Sequence, residues 1–139
     1  MDLKINQQTK PMDIKSRVEL IDITSYVEKE VENSRVREGV CIITTPHTCA
    51  GIIINENEPG ILLDIVNFLD KLVHSGEVYE HNKIDNNADA HLKTLLLGSS
   101  EVIPVVEGKL ELGAWQSIFF AEMDGPRDER RVNVIVIKK

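Results

Sequence analysis

Apolar positions along this chain fall mostly in short alternating or β-branched runs, and take up a helical period in only three places. "LKINQQT" (3–9) alternates weakly and predicts a first strand, and "DIKSRVELIDI" (13–23) predicts a second. In "TSYVEKEVENS" (24–34), Val27 and Val31 stand four apart among charges, the pattern of a short surface helix capped by Asp22 or Thr24. "GVCIITT" (39–45) and "AGIIIN" (50–55) read as two buried strands broken at Pro46-His47-Thr48. The segment 58–76 is the strongest helix. Its stripe is Ile61, Leu62, Ile65, Leu69, Leu72 and Val73, with Pro59 suited to the first turn and Gly76 to the end. A polar loop over 77–87 leads to a further helix, 88–97, stopped by Gly98, with Ala88, Leu92, Leu95 and Leu96 as its apolar stripe. The remainder is β: strands around a tight Glu107-Gly108 turn, then the "DGPRDE" turn and a closing strand "RVNVIVIKK".

Strands at both ends with two main helices inserted between them favour an α+β, β-sandwich-like architecture over a parallel βαβ sheet. The 139 residues suit a single domain over 1–139, which at this size buries roughly 68–70% of its unfolded surface. A net charge of −7 argues against nucleic acid or an anionic membrane as partner, while leaving room for a local anion site. The two cysteines, Cys41 and Cys49, suit a reduced, cytoplasmic protein. The N-terminal stretch lacks the apolar region of a signal peptide, and no apolar run is long enough to span a bilayer.

Four histidines are the candidates for chemistry: His47, His74, His81 and His91. His74 closes the long helix, where a cationic side chain suits the last carbonyls. His47 lies at the corner between two buried strands, and rigidly placed loops concentrate function. His91 falls in the first turn of the 88–97 helix at the edge of its stripe, where the helix dipole favours a neutral ring able to bind metal. Three imidazoles from three segments suggest a zinc site with an open position, although no fixed-spacing motif demands it. Cys49 shares a strand face with His47, but a thiol in the small-residue run "TCAG" is more simply packing. Glu56, Glu80, Asp85 and Asp89 are the acidic candidates for general base or ligand orientation. Asp85 and Asp89 are also ordinary helix-start residues. The helix start beside Asn86 and Asn87 suits a phosphate, and Arg127, Arg130 and Arg131 suit either an anion or a solvated turn.

"TTPHTCAGIIINENE", "YEHN", "DNNADAHLKTLLLGSSEVIPVVEGKLELGAWQSIF" and "DGPR…RRVNV" together resemble the YjbQ-like family of secondary thiamine-phosphate synthases, in order and over nearly the whole chain. The resemblance implies an α+β fold on a β-sandwich, a homotrimer, and a metal site at His47, His81 and His91. It implies joining of hydroxymethylpyrimidine diphosphate to thiazole phosphate, giving thiamine phosphate and pyrophosphate. Zinc suits three imidazoles best, with magnesium the other expectation. By residue type, not by the resemblance, Glu56 or Asp89 is expected as the catalytic carboxylate, with Asn55, Ser99, Ser100 and Arg127 holding a small phosphorylated substrate. A zinc-dependent phosphoester hydrolase and a non-catalytic trimer binding a small anion or metal are the competing expectations. The chain departs from the family at Ala114, where the motif G-T-W-Q has a threonine hydroxyl.

Overall fold

The computed structural model describes residues 5–139. Among the described residues, eight strands form two antiparallel sheets. One has five strands, β1 (Ile5–Ile14), β8 (Arg127–Lys138), β3 (Gly39–Thr44), β5 (Ser100–Val106) and β6 (Lys109–Leu110), in that spatial order. The other has three, in the order β2 (Glu19–Asp22), β7 (Ser117–Glu122), β4 (Ala50–Asn55). Between them lies one core, to which Ile14, Cys41, Ile43, Ile103 and Val134 contribute from the first sheet and Ile52, Ile118 and Phe120 from the second. Helix α1 (Thr24–Ser34) joins this core through Val27 and Val31. Helices α2 (Pro59–Leu72) and α3 (Ala88–Leu97) cover the outer face of the three-stranded sheet, where Leu69 and Ala90 meet Ala121 and Met123. Strand β7 is thus covered on both faces. This accounts for its unbroken apolar run, because alternation is expected only where one face meets water.

The predicted turn is present: Val106 pairs with Lys109, and Glu107 and Gly108 carry φ of 52° and 81°, the positive pair of a type I′ hairpin. The break at Pro46-His47-Thr48 is where the chain leaves the five-stranded sheet for the three-stranded one. Asp22 caps α1, its Oδ1 accepting from Thr24 N–H at 2.8 Å, and Pro59 opens α2 behind Glu58, whose carboxylate accepts from Gly60 and Ile61 N–H. These two backbone amides hold the Glu58 carboxyl below the usual range. Of the expected first strand, residues 3 and 4 lie outside the described residues; the rest belongs to β1.

Four expectations need correction. The expected strand 13–23 is two strands, because β1 and β2 belong to different sheets and residues 15–18 carry the chain between them. Helix α2 stops at Leu72, four residues short of Gly76, as Val73 turns extended. The 77–87 loop contains a 3-10 turn, Glu80–Lys83. The largest change concerns α3, whose expected stripe keeps only Ala88 inside while its leucines face out: Leu92, Leu95 and Leu96 are 38, 78 and 57% exposed. Ala88, Asp89, Ala90, Lys93 and Thr94 face in instead. Opposite charges from elsewhere in the fold make that possible, as Arg17 grips Asp89 and Lys93 lies between Asp70 and Asp89. Among the described residues, no helix is long and apolar enough to cross a membrane.

Candidate functional site

The end of the three-stranded sheet at which β4 begins and β7 finishes gathers most of the molecule's polar chemistry. Ala50 pairs there with Glu122. Asp124 follows β7, and Gly125 fits so closely under the Ser16 carbonyl that a side chain at that position would collide with backbone. The Gly125 N–H also donates to the Arg17 carbonyl at 2.8 Å, which anchors the turn.

Asn87, buried just ahead of α3, is the hub. Its Oδ1 lies 2.9 Å from His81 Nε2 while its Nδ2 donates to Asp124 Oδ2 at 2.9 Å. Since the Asn87 Oδ1 can only accept, His81 carries its proton on Nε2. The His81 and His91 rings meet edge to face with centroids 4.8 Å apart. The Cys49 sulfur lies 3.6 Å from His91 Nε2 and 3.9 Å from Nδ1, in contact with the ring. Burial, then the Asp124 carboxylate, pushes the Cys49 thiol up, which makes it a poor nucleophile. Burial alone pushes Cys41 up to about 12.

His47 stands apart from this pair in its bonding. The Arg131 backbone N–H donates to His47 Nε2 at 2.9 Å. Burial, then the charges of Arg130 and Arg131, hold its pKa below the ordinary histidine value. A neutral ring that accepts at Nε2 carries its proton on Nδ1, so no lone pair remains for an ion. Among the described residues, no three His, Cys, Asp or Glu side chains are grouped as metal ligands. With its Nε2 lone pair given to the Arg131 amide, His47 does not fit as a third imidazole beside His81 and His91 in this geometry. His81 and His91 lie together; His47 is committed to the backbone of β8.

An open groove of about 490 Å³ runs beside the corner, lined by His47, His91, Thr48, Thr94 and Ser99 among others, with no acidic side chain in its wall. Ser99 is exposed there, and its carbonyl accepts from Thr45 N–H and the Thr44 hydroxyl. Ser100 begins β5 opposite Thr44. Arg127 bonds to Asp124 Oδ2 at 3.3 Å and to the Pro126 carbonyl at 2.9 Å.

Several expected residues have other duties. Asp89 is 2% exposed and held by both terminal nitrogens of Arg17 at 3.0 and 3.1 Å. Burial raises its pKa, but Arg17 and Lys93 outweigh that and keep the carboxyl below the usual range, so it does not serve as a base near neutrality. The start of α3 is not open to phosphate: Ala88 N–H donates to Asn82 Oδ1, and the buried Asp89 charge lies in the first turn. Asn55 and Glu56 sit at the far end of β4, about 16 Å from Ala50 at strand rise. The Asn55 side chain there caps Glu56 N–H. The exposed Ala114 is in the turn just before β7, at that same far end, closed by Gln116 Oε1 on Gly113 N–H. His74 lies beyond the end of α2, its carbonyl taking the Tyr79 hydroxyl at 2.9 Å. Asp124, Glu122 and Arg17 are the site residues that spacing missed, while Asn87 was expected only at a phosphate-binding helix start and Arg130 only among three arginines suited to an anion or a solvated turn. The one available signal was the "DGP" turn, whose aspartate precedes a glycine and a proline with no helix to cap.

A family profile described as UPF0047 protein YjbQ-like matches residues 8–139. A UPF0047 protein of Methanothermobacter thermautotrophicus is 47% identical, covering 99% of this chain and 95% of its own length. One from Archaeoglobus fulgidus is 54% identical, covering 82% of this chain and 88% of its own. The crystal structure of a YbjQ-like protein of unknown function from Sulfolobus solfataricus superposes with a TM-score of 0.97 at 39% identity, covering 99% of this chain and all of that one.

Proposed function

The chain belongs to the YjbQ-like UPF0047 family, and from that premise we propose that it is an enzyme acting on a small phosphorylated metabolite bound in the groove beside His47 and His91. The observation carrying this reading is a groove free of carboxylates in a protein of net charge −7, walled by a neutral histidine whose spare N–H is fixed. Such a wall favours an anion. The transfer expected from the resemblance, a diphosphate displaced to give thiamine phosphate, is the specific form of the proposal. Hydrolysis of a phosphoester is the second form, supported by an open groove that admits water. A divalent ion, zinc before magnesium by ligand chemistry, belongs to the proposal only through the His81–His91 pair, with substrate oxygens completing its shell.

The test is turnover by the purified protein, loaded with zinc and separately with magnesium. The panel is the two thiamine precursors together and a set of phosphomonoesters and diesters. Product from either group, reduced at least tenfold by His91→Ala, is the expected result; no turnover of any substrate under either metal sinks the enzyme reading.

We also propose a homotrimer in the cytoplasm. Two buried free cysteines suit a reducing compartment. The outward leucines of α3, with Phe68 and Leu72 of α2 at 62 and 57% exposure, offer apolar surface for a second copy. Asn55 and Glu56, at the far end of β4, contribute to this groove only if a neighbouring copy brings them. Leu95→Lys is expected to shift the mass measured by light scattering from three chains to one. An unchanged trimer excludes this face from the interface, and a monomeric wild type removes the trimer.

A further inference from the structure

We infer that Arg130 and His47 form a preformed oxyanion subsite, seated by the buried carboxylate of Glu122. Glu122 is fully buried, and Arg130 spends one edge of its guanidinium on it: Nε lies 2.9 and 3.1 Å from the two carboxylate oxygens, and one terminal nitrogen 2.8 Å from Oε1. The other terminal nitrogen has no protein partner among the described residues, while the side chain keeps 12% of its surface open. An arginine held on one edge presents the other in a fixed fork, the geometry that matches the oxygens of a phosphate.

His47 supplies the second donor. It accepts from the backbone amide of Arg131, the residue next to Arg130 in β8, which seats the ring against this stretch. The Arg131 amide occupies Nε2, so the proton on Nδ1 is the one left to give. The Arg130 guanidinium is fixed from behind by Glu122, and the His47 ring by the amide of Arg131, next to Arg130 in β8. The two carboxylates at the end of β7 are engaged, Glu122 by Arg130 and Asp124 by Asn87 and Arg127. In this arrangement His47 is an anion donor and Glu122 a positioning residue. That departs from the metal-ligand role the family resemblance implied for His47. The inference rests on the phosphorylated-metabolite reading only for the identity of the anion.

Titration calorimetry of the intact protein with inorganic phosphate and with pyrophosphate tests it. His47→Gln keeps an oxygen for the Arg131 amide but deletes the Nδ1–H, and Arg130→Lys deletes the fork. Each is expected to weaken pyrophosphate binding at least tenfold, with His74→Gln, beyond the end of α2 and outside the site, unchanged. Metal content by elemental analysis is expected to be equal in wild type and His47→Gln. Circular dichroism checks the fold; if Arg130→Lys does not fold, His47→Gln carries the test. Wild-type protein that binds neither anion, equal affinity in wild type and His47→Gln, or loss of metal in His47→Gln overturns the inference. Binding with these losses but without turnover of any substrate leaves the subsite standing and removes the enzyme. Turnover that survives both substitutions unchanged does the reverse.

Discussion

Glu122→Ala is expected to lower the stability of the protein by about 3–5 kcal/mol, the usual cost of removing one member of a buried ion pair and leaving the other without a partner. Both sides of the pair are withdrawn from water, Glu122 completely and Arg130 to 12% side-chain exposure, so solvent screening gives little relief. Burial pushes the Glu122 carboxyl up, and Arg130 limits the rise. This balance is the mark of a carboxylate whose desolvation is only partly offset by its partner. Urea unfolding checks the prediction, read as a lower midpoint at unchanged slope. The double variant Glu122→Ala/Arg130→Met is expected to recover part of the loss, since no charge is then left buried. A loss below about 1 kcal/mol in the single variant, the range of an exposed pair, would show that the pair is solvated.

The second large effect falls on α3. Asp89→Asn is expected to cost about 3 kcal/mol at neutral pH, because Lys93, at 4% side-chain exposure, then retains only Asp70. Its pH dependence has a definite sign. The folded-state pKa of Asp89 is lowered, so the folded protein holds its proton less tightly than the unfolded chain. The contribution is therefore complete above about pH 3.9, the unfolded aspartate value, and disappears as pH falls through the lower folded value. Stability curves of wild type and Asp89→Asn should lie apart from pH 5 to 8 and converge in stronger acid. Parallel curves down to the lowest pH would assign the loss to packing instead of charge.

Much of the fold was readable because its signals are local. The Glu107-Gly108 hairpin, the Asp22 cap, the Pro59 start of α2 and the β-branched runs of β3 and β4 each depend on residues a few positions apart. The orientation of α3 was not readable, because the residues that let Asp89 and Lys93 go inward are Arg17 and Asp70, 72 and 23 positions away. By composition the leucines belong inside; partners distant in sequence decide otherwise. The candidate site divides in the same way. His47, His81 and His91 stand out as residue types, and the fold brings His81 and His91 into contact. What separates His47 from them is a backbone amide 84 positions away, which no side-chain pattern encodes. Asn87 looked like a helix-start residue, yet its amide links His81 to Asp124. The two carboxylates that looked catalytic, Glu56 and Asp89, are respectively at the far end of β4 and inside an ion pair.

The placement of Glu122 has an entropic consequence. It is the last residue of β7, a strand flanked by β2 and β4 and covered on both faces, so its side chain is fixed as soon as the chain folds. Arg130 inherits that order. An arginine free in water gives up about 1.5–2 kcal/mol of rotamer freedom when it is immobilised. Here that loss falls on folding, and an anion arriving at the open edge of the guanidinium meets a donor that has almost no disorder left to surrender.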